Sequence, residues 1–334
     1  MVPGRGTAPT VSDQVRRVAD MIRVDLSVVV PGNRERGGRA VDRTDEPETG
    51  RGIGGCRWWP TTKGASMTDP SRLPSDVDLE KASAARCYDY YLGGSHNFEV
   101  DRELARKVES RVPHVKPLAQ DNRAFLRRAV RYCLRRGIRQ FLDIGSGIPT
   151  VGNVHEIAQG LDPEARVLYV DNEPVAVAHS RTILADNDRA DVVQADLADS
   201  DGILGSEQAA RLLDPERPIA VMMVALFHFV PDSARPAEIL RSYHEWMAPG
   251  SFLGFSHVTS DHYPELLQSI IDLYADSSNP VTSRSHDEIR ELLTDFELVD
   301  PGLVYVPEWR PDTEEDRWQD PARSLVYGAV GHKV

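Results

Sequence analysis

The stretch Phe141-Leu142-Asp143-Ile144-Gly145-Ser146-Gly147 decides how this chain is read. It is a short apolar strand that runs straight into two glycines one residue apart. Glycine lets the backbone turn sharply and lets a ligand approach the amides with no Cβ in the way. The turn would sit at the carboxyl edge of a first strand, where doubly wound sheets bind nucleotides. The third glycine of a dinucleotide fingerprint is missing, because Thr150 stands in its place. That weakens the case for a pyrophosphate cofactor.

Two further strand ends add to the signal. Val167-Leu168-Tyr169-Val170 ends on Asp171-Asn172, 24 residues after Gly147. An acidic group there can accept hydrogen bonds from both hydroxyls of a ribose. Gln194-Ala195-Asp196-Leu197 closes a third strand, where a carboxylate or carbonyl can take the exocyclic amine of an adenine while Leu197 covers the ring. Taken singly, Asp171 or Asp196 also reads as a plain helix cap. Three such sites in register fit a nucleoside that ends in an amino acid and carries no phosphate. On this reading the turn from Asp143 through Gly145 to Gly147 faces the methionine part of S-adenosylmethionine. Asp171 with Asn172 faces the ribose, and Asp196 with Leu197 the adenine. This is the layout of the seven-stranded class I methyltransferases.

Working outward, apolar runs predict strands over 140–144, 166–170, 191–194, 219–226 and 252–255. Continuous runs of this kind suit parallel strands covered on both faces. Helices fit between them: Asn153 with Glu156 forms a capping box, and Pro174 and Pro236 stand at first-turn positions. Ile239, Leu240, Tyr243 and Met247 form a helical stripe. A helix over 264–275 and another behind the Ser285–Glu288 box follow. The stretches 297–306 and 324–330 have no helix between them and can pair antiparallel. The expected fold is α/β, a doubly wound, seven-stranded, Rossmann-like sheet with an N-terminal helical cap.

That cap is expected over 67–136, ahead of a methyltransferase domain over 137–334. Tyr88, Tyr90, Tyr91 and Leu92 precede a Gly93-Gly94 break. A helix over 118–136 places Phe125, Leu126, Ala129, Val130 and Cys133 on one face and Arg123, Arg127, Arg131 and Arg135 on another, read as a solvated row. Gly137 supplies the stop. Residues 1–66 repeat Gly, Arg, Pro and Thr without period, and read as a disordered tail or an over-extended gene start ahead of Met67.

Composition excludes several classes. With 334 residues, 40% hydrophobic and 27% charged, the chain is neither low-complexity nor collagen-like nor a membrane bundle. A net charge of −13 repels phosphate backbones, so no nucleic-acid partner is expected. Three cysteines without a CxxC pair argue against a disulfide framework and a thiolate zinc site, and a reducing cytoplasm is expected. The apolar stretch 22–30 is broken by Arg23, Asp25 and Ser27, so neither export nor a membrane span is expected. Gly254-Phe255-Ser256-His257-Val258 lacks the closing glycine of a nucleophile elbow, no HExxH occurs, and no glycine-rich loop ends in Gly-Lys-Ser or Gly-Lys-Thr. No metal site is expected.

From residue 76 to the C-terminus the sequence resembles the actinobacterial S-adenosylmethionine-dependent methyltransferases formerly catalogued only as a domain of unknown function. The resemblance rests on Ala85-Arg86-Cys87-Tyr88-Asp89-Tyr90-Tyr91-Leu92-Gly93-Gly94, Asn97-Phe98 and Asn122-Arg123-Ala124-Phe125-Leu126. It continues through Phe141 to Thr150 and Tyr169-Val170-Asp171-Asn172-Glu173-Pro174. His96 departs from the pattern, where an acidic residue is usual. The resemblance implies the fold and S-adenosylmethionine as cofactor more firmly than a substrate. It also implies that Tyr88 and Tyr91 fold over the cofactor mouth, where aromatic faces favour a sulfonium, and that Asn122 and Arg123 reach the methionine carboxylate.

In this fold the edge after the fourth strand faces the transferable methyl. His228, in Leu226-Phe227-His228-Phe229, is there a candidate general base with an ordinary pKa near about 6.5, or a residue that only orders the turn or contacts the cofactor. His257 and Asp261 are weaker candidates. The expected function is methyl transfer to a small-molecule acceptor. The alternatives are a non-catalytic S-adenosylmethionine-binding regulator and an NAD-dependent oxidoreductase.

Overall fold

The computed structural model describes residues 77–150 and 152–334. The expectation for residues 1–66 therefore lies outside the described residues. Strand β1 (Gln140–Ile144) sits in the middle of the sheet, with β2 (Arg166–Asp171) and β3 (Ala190–Gln194) on one side and β4 (Ala220–Met223) and β5 (Phe252–Val258) on the other, all parallel. The last strand, β8 (Val326–His332), runs antiparallel to β5 and carries the edge segments β6 (Glu297–Leu298) and β7 (Val304–Tyr305). The order is β3-β2-β1-β4-β5-β8-β6, with β7 also on β8. Chain direction reverses between β1 and β4, which opens a crevice at the carboxyl ends of the strands.

Segments β6 and β7 are two pieces of one edge strand. Glu297 pairs His332 and Val304 pairs Gly328, so seven steps on the edge span four on β8. The edge loops out by three residues, which is why the stretch read as one strand over 297–306 pairs only near its ends. The sheet thus has the seven positions expected.

Period-two alternation explains why both faces of the strands are apolar. Leu142, Ile144, Leu168, Val170, Val221 and Met223 point to one face, and Phe141, Val167, Tyr169, Ala220, Met222 and Val192 to the other. The first set meets Ile203 and Leu212 from the short helices α6 (Ser200–Leu204) and α7 (Glu207–Leu212), and Leu240 and Ile289 from α8 (Pro236–Trp246) and α10 (His286–Leu292). The second meets α3 (Val115–Arg135), α4 (Val154–Leu161) and α5 (Pro174–Leu184). The capping boxes at Asn153–Glu156 and Ser285–Glu288 form, and Pro174 and Pro236 open their helices.

A third apolar cluster builds the cap from α1 (Ala84–Tyr91), α2 (Glu99–Arg111), the first turns of α3, and α9 (Pro264–Tyr274). Helix α3 serves both regions: Leu118 and Ala119 belong to the cap cluster, Phe125, Ala129 and Cys133 to the sheet cluster. The arginine row on α3 is not one solvated face. Arg127 and Arg131 pair with Asp312, while Arg123 turns inward. Gly137 ends the helix at φ +91°.

Strand β4 is shorter than the stretch 219–226 read from its apolar run. Ala225 takes a left-handed conformation at φ 57°, and the chain leaves the sheet into a tight turn over Phe227–Phe229. Among the described residues no helix is long and apolar enough to cross a membrane.

Candidate active site

A cavity of about 400 Å³ lies at the carboxyl ends of β1, β2, β3 and β4, walled on its other side by α1, α3 and α9. The structure brings all of the sequence-selected cofactor residues and His228 to it. Tyr88, Asn122 and Arg123 come from the cap helices, and Asp143, Gly145 and Gly147 from the end of β1. Asp171 and Asn172 come from the end of β2, Asp196 and Leu197 from beyond β3, and His228 from beyond β4. His257 and Asp261 do not line it.

The glycine turn closes over β2. Gly145 and Ser146 donate their amides to the Val170 carbonyl at 2.8 and 3.2 Å, and Gly147 donates to Asp171 Oδ2 at 2.7 Å. Gly145, at φ +69°, has no room for a side chain: a Cβ would stand 2.5 Å from Leu226 Cδ1. Gly147, at φ +67°, faces open space. These three amides point into the protein, so the turn offers none of them to a phosphate. The amides of Gly152 and Asn153, just before α4, are taken by Glu156 Oε2 at 2.8 and 2.9 Å. A pyrophosphate would need such helix-start donors free.

Asp171 is 7% exposed, and its second oxygen accepts from the Glu173 amide at 2.8 Å. Burial pushes its carboxyl up to about 6 against the pull of those amide donors. Asp143 is 5% exposed and receives no hydrogen bond from a described residue. Burial pushes it up to about 7, opposed by Arg123 and reinforced by Asp171. Arg123 Nη2 lies 3.3 to 3.5 Å from Thr150 Oγ1, Gly152 O and Asn153 Oδ1, none of them charged, and its Nε is buried without a partner. A carboxyl without a hydrogen-bond donor and a guanidinium without an ion pair thus share one corner, coupled only through the field between them.

The cap is locked to this edge by a residue that the sequence reading passed over. Arg86, 1% exposed, donates to Asp101 Oδ2 at 2.8 Å and to Glu173 Oε1 at 3.1 Å, two residues beyond Asp171. It also donates to the carbonyls of Asp78 and Lys81 at 3.0 and 2.6 Å. Its only signal in the chain is its place inside the Ala85–Gly94 motif, opposite a glutamate in the Tyr169–Pro174 motif. Asp89 shapes the Gly93-Gly94 break, accepting from the His96 amide and the Asn97 side chain at 2.8 and 2.7 Å.

Beyond β4 the chemistry differs. Burial drives His228 well below the ordinary imidazole value, with His257 and Arg284 adding to the effect. The near-neutral pKa expected from sequence does not hold in this setting, because the ring is 7% exposed beside a cation. Its Nδ1 is buried without a partner. Arg284, the second residue missed, holds the turn: it donates to the carbonyls of Phe227 and Val230 at 3.2 and 2.9 Å, to Asp232 Oδ1 at 2.6 Å, and to His257 Nε2 at 2.8 Å. His257 is pushed down to about 4, chiefly by burial, so it is the neutral acceptor that this geometry requires. Asp261 accepts from the His286 amide at 2.9 Å at the start of α10.

Asn122 is engaged within the protein. Its Oδ1 accepts from Ser256 Oγ at 2.8 Å, and that oxygen in turn accepts from the Ala225 amide at 2.9 Å. Tyr88 donates to the Ala119 carbonyl at 2.9 Å. Asn122 thereby holds the left-handed exit from β4.

A doubly wound sheet with an antiparallel last strand, a glycine turn after β1 and an acidic residue after β2 defines a class I S-adenosylmethionine-dependent methyltransferase. The chain matches the S-adenosyl methyltransferase family over residues 70–334 and belongs to that family. It is similar to a Thermobifida fusca protein provisionally assigned as a methyltransferase, with 37% identity over 78% of this chain and 98% of that one and a TM-score of 0.73. It is also similar to a DUF574 family protein from Streptomyces avermitilis, with 37% identity over 77% and 99% of the two chains and a TM-score of 0.74. None of the proteins with curated descriptions matches it.

Proposed function

We propose that this enzyme methylates a small-molecule acceptor held between the glycine turn and the helical cap. The observation that carries the reading is the buried corner in which, among the described residues, Asp143 has no hydrogen-bond donor and Arg123 forms no ion pair. An amino-acid zwitterion answers both, its ammonium group on Asp143 and its carboxylate on Arg123, and the methionine end of the cofactor is such a group. On the same reading Asp171 accepts from the ribose hydroxyls, Asn172 flanks it, Asp196 takes the adenine amine and Leu197 covers the ring. Gly147 leaves open space where the ligand must approach closely. When bound, S-adenosylmethionine supplies a methyl group on a sulfonium that is already a good leaving group, so alignment of the acceptor carries most of the acceleration.

The chain's own residues then exclude water and orient the acceptor. Tyr88 and Tyr91 close the cap side as a lid, helped by the Arg86–Glu173 lock. His228 faces the acceptor as a neutral imidazole, able to take a hydrogen bond and, at most, a weakly held proton. A cavity of about 400 Å³ falls in the range of small-molecule sites and suits a compact acceptor better than a macromolecule. Cys87 and Cys133 are buried free thiols, which suits a cytoplasmic enzyme. A methyl-labelled cofactor incubated with the protein and cell extracts tests the reading. Label is expected in the small-molecule fraction; label confined to protein or nucleic acid would overturn it.

A further inference from the structure

Among the described residues, the five charged side chains that line the cavity are Arg123, Asp143, Asp171, Glu173 and Asp196, all assigned above to the cofactor side or to its lock with Arg86. The rest of the wall is uncharged and mostly apolar; its polar side chains on the cap side, such as Ser278, Asn279 and Ser324, carry no counter-charge. Val108, Leu118, Ile270, Tyr274, Phe229 and Val281 line it, and all six belong to or pack against the cap cluster. Its aromatic hydroxyls are already used: Tyr88 donates to the Ala119 carbonyl at 2.9 Å, and the Tyr91 and Tyr274 hydroxyls pair at 3.3 Å. A charged acceptor would lose its hydration in this chamber and find no counter-charge, which is strongly unfavourable.

Among the described residues, His228 is the one imidazole in that wall. Its Nδ1 is closed off without a partner, so Nε2 is the nitrogen left to a ligand. The backbone that carries the ring is held in place, because the Thr282 amide donates to the His228 carbonyl at 2.7 Å and Arg284 donates to the carbonyls of Phe227 and Val230 on either side. The Phe229 ring lies 4.3 Å away, centroid to centroid. From this arrangement, and resting on the cofactor placement given above, we infer that the acceptor is a neutral aromatic molecule whose hydroxyl group donates a hydrogen bond to His228 Nε2. Flat rings fit the Phe229 and Tyr274 walls. A weakly basic imidazole suits an aromatic hydroxyl, which is acidic enough to need little help, and does not suit an aliphatic alcohol.

The test uses three probes of one shape, 2-naphthol, naphthalene and 2-naphthoate, titrated into the full-length protein saturated with S-adenosylhomocysteine. The expected result is that 2-naphthol binds at least about tenfold more tightly than naphthalene, the effect of one hydrogen bond, and that 2-naphthoate is the weakest. His228→Leu should abolish the preference for 2-naphthol over naphthalene, and His228→Gln, which keeps an acceptor oxygen, should restore part of it even if the leucine variant fails to fold. Tightest binding of 2-naphthoate, a preference that survives in a folded leucine variant, or no saturable binding of any probe would each overturn the inference. Calorimetry of S-adenosylhomocysteine alone separates the two levels. If that ligand binds while the probes fail, the acceptor class is wrong; if it does not bind, the cofactor placement falls and takes this inference with it.

Discussion

The ends of β1 and β2 and the ends of β4 and β5 face one cavity but are built from opposite materials. At the first pair, carboxylates, amides and guanidinium groups are packed together: Asp171 holds two amides, Arg86 binds Asp101 and Glu173, and Asp143 and Arg123 stand ready for a ligand. At the second pair the groups facing inward are apolar side chains and a neutral imidazole, and the one nearby cation, Arg284, is spent on carbonyls, Asp232 and His257. A site that handles a zwitterionic nucleoside on one side and an uncharged acceptor on the other must separate charge in this way. Buried charge is tolerated only where partners meet it.

The largest expected effect breaks the polar side. Arg86→Met leaves Asp101 and Glu173 without their cation in a buried setting, and removing one partner of such a pair costs about 3–5 kcal/mol. Urea unfolding should register the loss, with a parallel drop in affinity for S-adenosylhomocysteine because Glu173 adjoins Asp171. A loss below about 1 kcal/mol, the size typical of exposed pairs, would mean that the cap is not locked to the cofactor edge.

Next in size is a test of the apolar side. His228→Ala should lower turnover by about 10²-fold, the effect of losing the alignment its hydrogen bond imposes on the acceptor, while leaving S-adenosylhomocysteine affinity nearly unchanged. Because burial holds the imidazole well below its ordinary range, the wild-type rate at saturating cofactor and acceptor should show no inflection near about pH 6.5. An equal loss of cofactor binding would place His228 on the cofactor side and dissolve the contrast drawn above.

The two sides were unequally legible in the sequence. The β1–β3 side could be read because its residues lie at strand ends, and a strand's end is announced locally by an apolar run, a glycine or an acid. The same logic recovered the central strands and the Asn153–Glu156 and Ser285–Glu288 caps. It failed beyond β4, where the apolar run to Leu226 hid a left-handed Ala225. That conformation is held by Ser256 and Asn122, which stand 31 and 103 residues away in the chain. Arg284 acts on His228 from 56 residues downstream and has no periodic or motif signature. Arg123 was legible as a site residue only through the family resemblance. By spacing alone it belonged to a solvated row that tertiary packing then divided between Asp312 and the cavity.

A smaller effect sharpens the polar side. Asp171→Ala should weaken S-adenosylhomocysteine binding by at least about tenfold, since two charge-assisted hydrogen bonds to the ribose exceed the roughly 1.4 kcal/mol that a tenfold change requires. Asp171 also accepts the Gly147 and Glu173 amides, so part of the loss reflects a loosened glycine turn. Asp171→Asn separates the two contributions: it keeps an acceptor for one amide and should recover stability more fully than affinity. Calorimetry and thermal unfolding on both variants read the difference, and wild-type protein should bind NAD negligibly in the same instrument.

The smallest signal is a proton count. With no ligand, burial raises Asp143 to about 7 and Asp171 to about 6, both above the value of about 3.9 in an unfolded chain. Between about pH 4 and 7 the folded protein therefore holds more protons at these positions than the unfolded one. Their contribution to stability falls as pH rises through that window and levels off above it. An ammonium group beside Asp143 and hydroxyl donors on Asp171 favour the ionised carboxylates, so binding must expel the protons these carboxyls otherwise keep. At pH 6.5 the release should be on the order of one proton, and affinity for S-adenosylhomocysteine should rise from pH 6 to pH 8. Titrations in buffers of differing ionisation enthalpy measure the number directly. Proton uptake, or none exchanged, would mean that the ligand's amino group does not settle on Asp143, and the charge separation across the cavity would then need a different cause.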